Sequence, residues 1–142
     1  MGQYVARERS TPESPLIHLI DADILIDLSR SHPGAMDFFR RKVFAEDVRL
    51  SPLTEMELVQ GVRNKKELKE MRIFLAQFAR AVVGEEQIRK GLEIQQKYFL
   101  SHGIGILDSL LAGTAVVNGW KLVSRNSKHF DFIDELDLFV PY

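Results

Sequence analysis

The sequence predicts an α/β domain built around a mainly parallel sheet. Short apolar runs alternate with longer stretches of helical periodicity, which is the pattern of repeated strand–helix units. With 142 residues, of which 45% are hydrophobic and 27% charged, the chain is long enough for one domain with a hydrophobic core and too short for two. No apolar run approaches the roughly 20 residues needed to cross a bilayer. We therefore expect one domain over residues 16–142 and no membrane segment.

The first 15 residues differ from the rest of the chain. The stretch MGQYVARERSTPESP is polar and lacks the apolar centre of a secretory signal, so residues 1–15 are predicted to form a flexible N-terminal tail. The chain has no cysteine, which excludes disulfides, thiolate nucleophiles and cysteine zinc sites. Both features favour a cytoplasmic protein.

The charge balance limits how the protein can hold a polyanion. Lys and Arg total 19 and Asp and Glu total 20, which gives a formal net charge of −1. A strongly basic composition, as in many nucleic-acid binders, is absent. A nucleic-acid substrate would therefore have to be held locally, through a metal ion and a few clustered cations.

In the first half of the domain, each predicted element has a simple sequence signal. The apolar run at residues 16–20 suits a buried strand, and the Ser-His-Pro-Gly stretch at residues 31–34 separates two helical patterns. Pro52 suits the first turn of a helix and Gly61 suits its end. The predicted elements are a strand at 16–20, a helix around 24–28, a helix at 36–44, a strand at 48–51 and a helix from 52 to 60.

The second half contains the most regular helical patterns. Apolar residues at helical spacing predict an amphipathic helix over residues 65–79, and Gly84 closes a short apolar run. Asp108 is placed as the N-cap of the most apolar helix. The predicted elements are a helix at 65–79, a strand at 81–83, helices at 85–100 and 108–117, and strands at 121–123 and 138–140.

Acidic and amide side chains from distant parts of the chain fall beside the ends of these elements. Asp21 ends the first strand, Asp108 begins a helix, and Asn126 lies three residues beyond the strand that ends at Val123. In open parallel sheets the functional crevice lies beyond the carboxyl ends of the strands. We therefore expect these side chains to meet there.

Glu57 lies on the helix after the second strand, and its neighbours set its expected direction. If Met56 and Val59 mark the edges of the buried stripe, Glu57 faces away from much of the exposed charge of that helix. Glu55 points elsewhere and is interpreted as a surface residue. Asp23 fits either a supporting role in the site or a helix start, whereas Asp27 is interpreted as part of a solvated face. Of the histidines, His18 is expected in the core. His32 and His102 are expected in exposed turns.

Clustered carboxylates favour divalent-metal chemistry. Mg²⁺ and Mn²⁺ prefer carboxylate oxygens, and carboxylates that repel one another are stabilised when a cation shares the site. One or two such ions can activate a water and stabilise the charge that develops when a phosphodiester is hydrolysed. The sequence contains no G-x-S-x-G nucleophile elbow, no phosphate-binding glycine loop and no paired histidines at metal spacing. Taken singly, each acid also has a structural interpretation, as a turn residue or a helix cap.

Four stretches resemble, in order, the motifs of the PIN-domain ribonucleases. The match covers residues 16 to 142, and its Glu-Leu-x-x-Gly and Asn-x-x-His-Phe forms are most similar to the VapC-type toxins of toxin–antitoxin pairs. The four stretches are Leu19–Ile26, Ser51–Gly61, Ile106–Ala115 and Leu122–Phe130.

The resemblance implies a PIN-like three-layer α/β/α sandwich and a Mg²⁺- or Mn²⁺-dependent endoribonuclease. It implies that Asp21, Glu57 and Asp108 are the catalytic metal ligands. The family's fourth acidic position falls on Asn126, and Ser124 stands where the family usually has Thr. Because Asn126 brings no charge, whether one or two ions bind is left open. By the same resemblance, His129 packs at the edge of the site and is not catalytic.

The resemblance also implies partners. It predicts an RNA substrate, a homodimer and a small antitoxin protein whose C-terminal segment occupies the active-site groove. The apolar face from Leu68 to Phe78 is a possible surface for the second subunit, although it could equally cover the sheet of its own domain.

Two other functions fit parts of the sequence. The neutral Asn126 is compatible with a catalytically silent PIN-like scaffold that binds RNA or protein. A haloacid-dehalogenase-type phosphatase also places Asp-x-Asp after an apolar strand, as Asp21-Ala22-Asp23 does. Such a phosphatase needs a Ser or Thr after a later strand and a late acidic pair. Ser51 suits the first requirement poorly, and no acidic pair follows Val123.

Overall fold

Five short parallel strands form the central sheet of the protein, whose structure, a computed structural model, describes residues 16–142. The tail predicted at residues 1–15 lies outside the described residues. All four strand pairs are parallel, in the order β3-β2-β1-β4-β5. The strands are β1 (His18–Ile20), β2 (Val48–Leu50), β3 (Ala79–Arg80), β4 (Lys121–Val123) and β5 (Asp137–Phe139).

Seven α-helices connect or flank the strands within residues 16–142. Each one described is too short or too polar to cross a bilayer. A π-helical turn, Phe38–Lys42, continues the second helix, and a 3₁₀ turn, Ala45–Asp47, precedes β2. The helices are α1 (Ala22–Ser29), α2 (Pro33–Asp37), α3 (Pro52–Gln60), α4 (Lys65–Leu75), α5 (Glu85–His102), α6 (Ile106–Asn118) and α7 (Ser127–Phe130).

The sheet is covered on both faces, because successive strand residues point to opposite sides. Ile20 and Val123 belong to one buried cluster, which contains side chains of α1, the α2 region and α4. Leu19 and Leu122 belong to a second cluster, with side chains of α5 and α6. These two clusters confirm the α/β fold class and its three α/β/α layers.

The strand order places the two central strands where the site is expected. Ile20 of β1 pairs with Val123 of β4, so the chain leaves both strands at the same edge of the sheet. The first residues beyond them, Asp21 and Ser124, are therefore adjacent, and the Asp21 amide donates to the Val123 carbonyl at 2.9 Å. The helix that follows β1 packs on one face of the sheet, whereas the helices that precede β4 pack on the other. Open α/β sheets form their crevice at such a point, between the two neighbouring strands.

The third strand was predicted at the wrong position. The structure ends α4 at Leu75 and forms β3 from Ala79 and Arg80, whereas the apolar run at 81–83 was expected to pair. The Arg80 guanidinium donates to the carbonyls of Leu75 and Phe78, which fixes the turn between α4 and β3. Because the residue that positions β3 is a charged arginine, a search for apolar runs missed this strand.

Two helix predictions also need correction. The helix α6 begins at Ile106 with Gly105 as its N-cap, so Asp108 lies in the first turn and does not cap it. Its carboxylate is therefore not used by the helix terminus. In α3, Met56 and Val59 are exposed and Thr54 is buried, so the buried stripe is not the one expected.

The apolar face of α4 covers the sheet of its own domain. Met71, Phe74, Leu75 and Phe78 are all buried in the first hydrophobic cluster. Of the two interpretations of the Leu68 to Phe78 surface, the structure supports the one in which it covers the sheet of its own domain. A domain of this size needs such a face to complete its core.

The histidine predictions were correct at two positions. His18 is buried in β1, and His102 is exposed at the end of α5. His32 is instead half-buried, because its ring stacks on Tyr142 with the centroids 4.9 Å apart and its Nδ1 accepts from the Gly34 amide.

Candidate active site

Asp21 is the buried acid at the centre of the candidate site. It follows β1 directly and is the N-cap of α1, with its Oδ1 accepting from the Ala22 amide at 2.8 Å. Its Oδ2 accepts from the Ser124 hydroxyl at 2.8 Å. The first contact is local to the start of α1, whereas the second follows from the pairing of β1 with β4, which brings the two strand ends together. The carboxylate is thus held in one orientation.

The loop after β4 is joined to α1 by a second acid. The Arg125 amide donates to Oδ2 of Asp23 at 2.8 Å, and the Asn126 amide donates to the Ser124 hydroxyl at 3.0 Å. Asp23 also accepts from the Ile24 amide through its Oδ1. Asp23 therefore has both of the roles considered for it: it serves the start of α1 and it supports the loop of the site.

Asp108 reaches the same region from α6. Its Oδ2 lies 3.2 Å from Nδ1 of His129, the residue that the sequence placed at the edge of the site as a packing residue. The His129 ring is more than half exposed, so it acts as a partner for the carboxylate rather than as packing. The sequence contained no signal for this contact, because the two residues lie on different elements.

Glu57, and not Glu55, faces the acidic cluster. Glu57 is an exposed residue of α3, but partial burial of its carboxyl raises its pKa, and the nearby charges of Asp21 and Asp108 raise it further. Glu55 instead forms an ion pair with Arg80, with 2.8 Å between its Oε2 and the Arg80 Nε. The surface interpretation of Glu55 was therefore incomplete, since its side chain is half-buried in that pair.

The acidic side chains of this edge repel one another. Burial is the largest cause that raises the pKa of Asp21, and the charge of Asp108 adds to it. The pKa of Asp23 is likewise raised by burial and by Asp21, and that of Asp108 by burial and by Asp23. Partly buried carboxylates that raise one another's pKa become less costly to ionise when a cation lies among them. The electrostatics therefore favour a bound cation.

The donor set fits a hard divalent ion, although the side chains do not form a closed coordination shell. Within residues 16–142, no three His, Asp or Glu side chains are grouped closely enough to hold a metal ion as they stand. The acids present carboxylate oxygens, which suit Mg²⁺ and Mn²⁺, and these ions commonly retain several waters. The assignment of Asp21, Glu57 and Asp108 as ligands stays a prediction.

The neutral fourth position lies at the edge of the cluster. Asn126 is exposed and precedes α7 without capping it through its side chain. Together with Asp23 and Arg125 it lines a cleft of about 290 Å³ next to α1. Its amide oxygen can orient a water there, but it adds no charge to the site.

One polar contact group beside the site was missed from the sequence. Asp27, interpreted as a solvated residue, accepts from Nη1 of Arg125 and from the hydroxyl of Tyr142, each at 2.8 Å. Burial opposes its ionisation, but these hydrogen bonds hold the pKa of Asp27 below its usual range. The spacing of Asp23 and Asp27, one helical turn apart, was the available signal that both face the same side of α1.

The sequence profile of the PIN domain family matches residues 18–136 of the chain. Two similar curated proteins are ribonucleases of Mycobacterium tuberculosis. Ribonuclease VapC19 is 33% identical over 126 residues, which cover 87% of this chain and 98% of that protein. Ribonuclease VapC10 is 30% identical over 119 residues, which cover 83% of this chain and 89% of that protein.

Solved structures with the same fold include proteins from toxin–antitoxin complexes. A chain of a toxin–antitoxin complex from Klebsiella pneumoniae superposes with a TM-score of 0.73 at 22% identity, covering 88% of this chain and 98% of that one. A chain of VapBC2 from Rickettsia felis, bound to a promoter DNA fragment, superposes with a TM-score of 0.73 at 24% identity. The match covers 87% of this chain and 97% of that one. At these identities the superpositions show the fold alone. None of these matches supports the haloacid-dehalogenase-type alternative.

Proposed function

The chain belongs to the PIN domain family, and we propose that it is a metal-dependent endoribonuclease that hydrolyses RNA phosphodiester bonds as the toxin of a type II toxin–antitoxin pair. The observation that carries the proposal is the convergence of acidic side chains at the carboxyl edge of the sheet. Asp21, Asp108 and Glu57 belong to three different elements, yet the charge of Asp108 raises the pKa of Asp21, and the charges of Asp21 and Asp108 raise the pKa of Glu57.

In the proposed reaction, Asp21, Glu57 and Asp108 hold Mg²⁺ or Mn²⁺. When bound, the ion supplies charge stabilisation and lowers the pKa of a water. The protein residues around it have separate tasks. The Ser124 hydroxyl orients Asp21, and the His129 ring orients Asp108. Because the fourth position is the neutral Asn126, we propose that one ion is held tightly.

We propose that an antitoxin segment binds in the groove between α1, α3 and α4. This groove has a volume of about 830 Å³ and begins beside Glu57, so a peptide lying in it would approach the acidic cluster. Part of its lining is apolar and is formed by Leu25, Ile26, Leu58, Met71 and Phe74. Its polar residues include two arginines, Arg30 and Arg63. An apolar groove with charged residues suits an amphipathic segment. One structure with the same fold comes from a toxin–antitoxin complex of Klebsiella pneumoniae.

A homodimer is proposed from the exposed face of α5. Ile88, Leu92 and Phe99 lie at helical spacing along one side of this helix, and each is about half exposed. An apolar stripe of this kind on a domain surface marks an interface. Replacing Leu92 and Phe99 together by Gln should convert the protein from dimer to monomer in size-exclusion chromatography with light scattering. Glu86→Gln, on another side of α5, is the control, and a monomeric wild type would contradict the proposal.

The nuclease proposal is tested with purified protein freed of any partner. We expect cleavage of single-stranded RNA with Mg²⁺ or Mn²⁺, no cleavage with EDTA, and loss of cleavage in Asp21→Asn and Asp108→Asn. Asp134→Asn, at an exposed position beyond α7, is the matched control and should cleave like the wild type. Circular dichroism would check that each variant is folded.

The outcomes separate the nuclease from the alternative function. If the wild type cleaves RNA and both site variants cleave equally well, the site assignment is wrong. If the folded wild type binds RNA but does not cleave it with either metal, the silent scaffold is the correct function. A toxin of this kind would act on RNA in the cytoplasm, so its expression without an antitoxin should arrest growth, and Asp108→Asn should not.

A further inference from the structure

The Arg125 guanidinium is held in place beside the acidic cluster by two residues outside it. Its Nη1 lies 2.8 Å from Oδ2 of Asp27, and its Cζ lies 5.1 Å from the centre of the Tyr142 ring. The Tyr142 hydroxyl donates to the same Asp27 oxygen at 2.8 Å. The arginine is therefore fixed along one edge by a carboxylate and over one face by an aromatic ring.

Tyr142 is itself held rigidly. Its ring stacks on His32 with the centroids 4.9 Å apart and the planes inclined by 24°. It also lies so close to Gly34 that a Cβ there would be 2.5 Å from the Tyr142 Cγ. The glycine at the start of α2 thus makes room for this ring. The support of Arg125 consequently extends from α1 to α2 and does not depend on the loop alone.

The position of Arg125 connects this support with the site. Its amide donates to Asp23, and its two neighbours are Ser124, which holds Asp21, and Asn126. The side chain remains 44% exposed despite its two contacts. It lines the cleft of about 290 Å³ that it shares with Asp23 and Asn126. A cationic group is therefore presented to solvent at the rim of a strongly acidic site.

We propose that Arg125 binds a phosphate of the RNA next to the one that is cleaved, and that Asp27 and Tyr142 are positioning residues for it. The inference rests on the proposed function, because it takes RNA as the substrate. A guanidinium carries five N–H donors, so the bond to Asp27 leaves several for a phosphate oxygen. Because the side chain is already fixed, little conformational entropy is lost when it binds.

Such a contact explains how a chain with a net charge of −1 approaches a polyanion. The acids of the site repel RNA until a metal ion neutralises them, and a fixed guanidinium at the rim offers the N–H donors that the acids lack. Asp27 would otherwise add a further negative charge to the rim, but its pairing with Arg125 removes that cost. A structural role alone would not require the guanidinium to remain exposed.

The test measures RNA binding without cleavage. All variants are made in an Asp108→Asn background, since that change lies on the His129 side of the site and stops cleavage under the proposed function. The probe is a fluorescent single-stranded RNA of mixed sequence, titrated at several salt concentrations. Arg125→Gln should weaken binding about tenfold, and should reduce the slope of log affinity against log salt by about 0.7, the value for one phosphate contact to a single strand. Arg125→Lys should keep the slope and lose part of the affinity.

The positioning residues and the control have distinct expected results. Tyr142→Phe removes the hydroxyl and keeps the ring, so it should weaken binding a few-fold without changing the salt slope. Arg89→Gln is the matched control. Arg89 is also ion-paired, with Glu85, but it lies at the end of the α5–α6 pair that is far from Asp108. That end is identified by the neighbouring Gln87, which bonds to Asn118 at the terminus of α6. Arg89→Gln should bind RNA like its parent.

The outcomes for Arg125 and for the nuclease are independent. An unchanged salt slope in Arg125→Gln overturns the inference. That result does not affect the nuclease, which is judged by cleavage with the wild-type protein. Conversely, a changed slope together with an inactive wild type would keep Arg125 as an RNA contact and reject the nuclease.

Discussion

The Ser124 hydroxyl lies 2.8 Å from Oδ2 of Asp21, although the two residues are separated by 103 positions in the sequence. Their strands pair in parallel, so both residues leave the sheet at the same edge. The hydroxyl donates to the buried carboxylate and, in turn, accepts from the Asn126 amide. This small chain of hydrogen bonds fixes the acid on which the proposed metal site is centred.

Removal of the Ser124 hydroxyl should shift the pH dependence of cleavage. Burial raises the pKa of Asp21 and the hydrogen bond from Ser124 lowers it, so Ser124→Ala raises the pKa further. A higher pH is then needed to ionise the ligand, and the acidic limb of the kcat/KM profile should move to higher pH. At neutral pH we expect a loss of about tenfold, as for a hydrogen bond to a charged group. Ser124→Thr keeps the hydroxyl and should restore the wild-type profile; a profile unchanged in Ser124→Ala would contradict this role.

The two glutamates of α3 provide a matched pair of variants. Glu57→Gln removes a proposed ligand and should lower kcat/KM by more than about 100-fold, beyond the range for groups that support a ligand. Glu55→Gln breaks the ion pair with Arg80 and should cost at most about 1 kcal/mol of stability, with activity nearly unchanged. Steady-state kinetics and urea denaturation of both proteins would measure this, and equal losses of activity would show that the assignment of Glu57 is wrong.

Asn126→Asp should tighten the binding of Mn²⁺. The substitution adds a charged oxygen donor at the edge of the acidic cluster, and affinity for hard cations rises with ligand charge. Isothermal titration calorimetry on the partner-free protein would measure the change. Asn118→Asp adds the same charge at the far end of α6 and should leave Mn²⁺ binding unaffected. Unchanged or weaker binding by Asn126→Asp would exclude this residue from the site.

Mg²⁺ should stabilise the protein more at neutral pH than at mildly acidic pH. Burial and the charges of neighbouring acids raise the pKa of Asp21, Asp108 and Glu57 above their ordinary values. As pH rises through this range, the unfolded chain releases its protons first, so these groups lower the free energy of unfolding at neutral pH and cease to do so on acidification. A bound cation offsets the cost only while the acids are charged. The increase in Tm on adding Mg²⁺ should therefore shrink as pH falls.

Other titrating groups do not obscure this comparison. Hydrogen bonding holds the pKa of Glu55 below its ordinary value, so the stability it contributes is lost only at lower pH. Burial lowers the pKa of His18, which destabilises the fold on acidification, but this residue lies at the opposite end of β1 and acts equally with and without Mg²⁺. Asp108→Asn serves as the control, with a smaller effect of Mg²⁺ at neutral pH. An equal Tm shift at both pH values would contradict the prediction.

Gly113→Ala should destabilise the domain by separating α5 from α6. A Cβ at this position would lie 2.6 Å from the amide nitrogen of Gly91, and backbone atoms cannot move aside. Overpacking of this kind costs about 1–3 kcal/mol, which urea denaturation would detect. Gly61→Ala, where the nearest atom would be 3.5 Å away, is the control and should be nearly neutral. Equal stability of the two variants would show that the helices tolerate the added methyl group.

The main features of the fold were accessible from the sequence because they depend on local patterns. Apolar runs marked β1, β2 and β4 to within two residues, and Pro52 and Gly61 marked the ends of α3. The positions of β3 and of the start of α6 were missed. In each case the boundary is set by a residue outside the apolar pattern. Arg80 bonds to backbone carbonyls before β3, and Gly105 is the N-cap of α6.

The sequence alone determined that the chain forms a parallel α/β sheet and that Asp21 and Asp108 belong near its carboxyl edge. Only the tertiary structure decided which other groups join them. It supported the sequence-based preference for Glu57 over Glu55 by pairing Glu55 with Arg80, 25 residues away. It likewise joined Asp27 to residues 98 and 115 positions distant, Arg125 and Tyr142. The physical reason is that strand and helix signals act over a few residues, whereas these pairings depend on the strand order, which brings together segments that no local pattern relates.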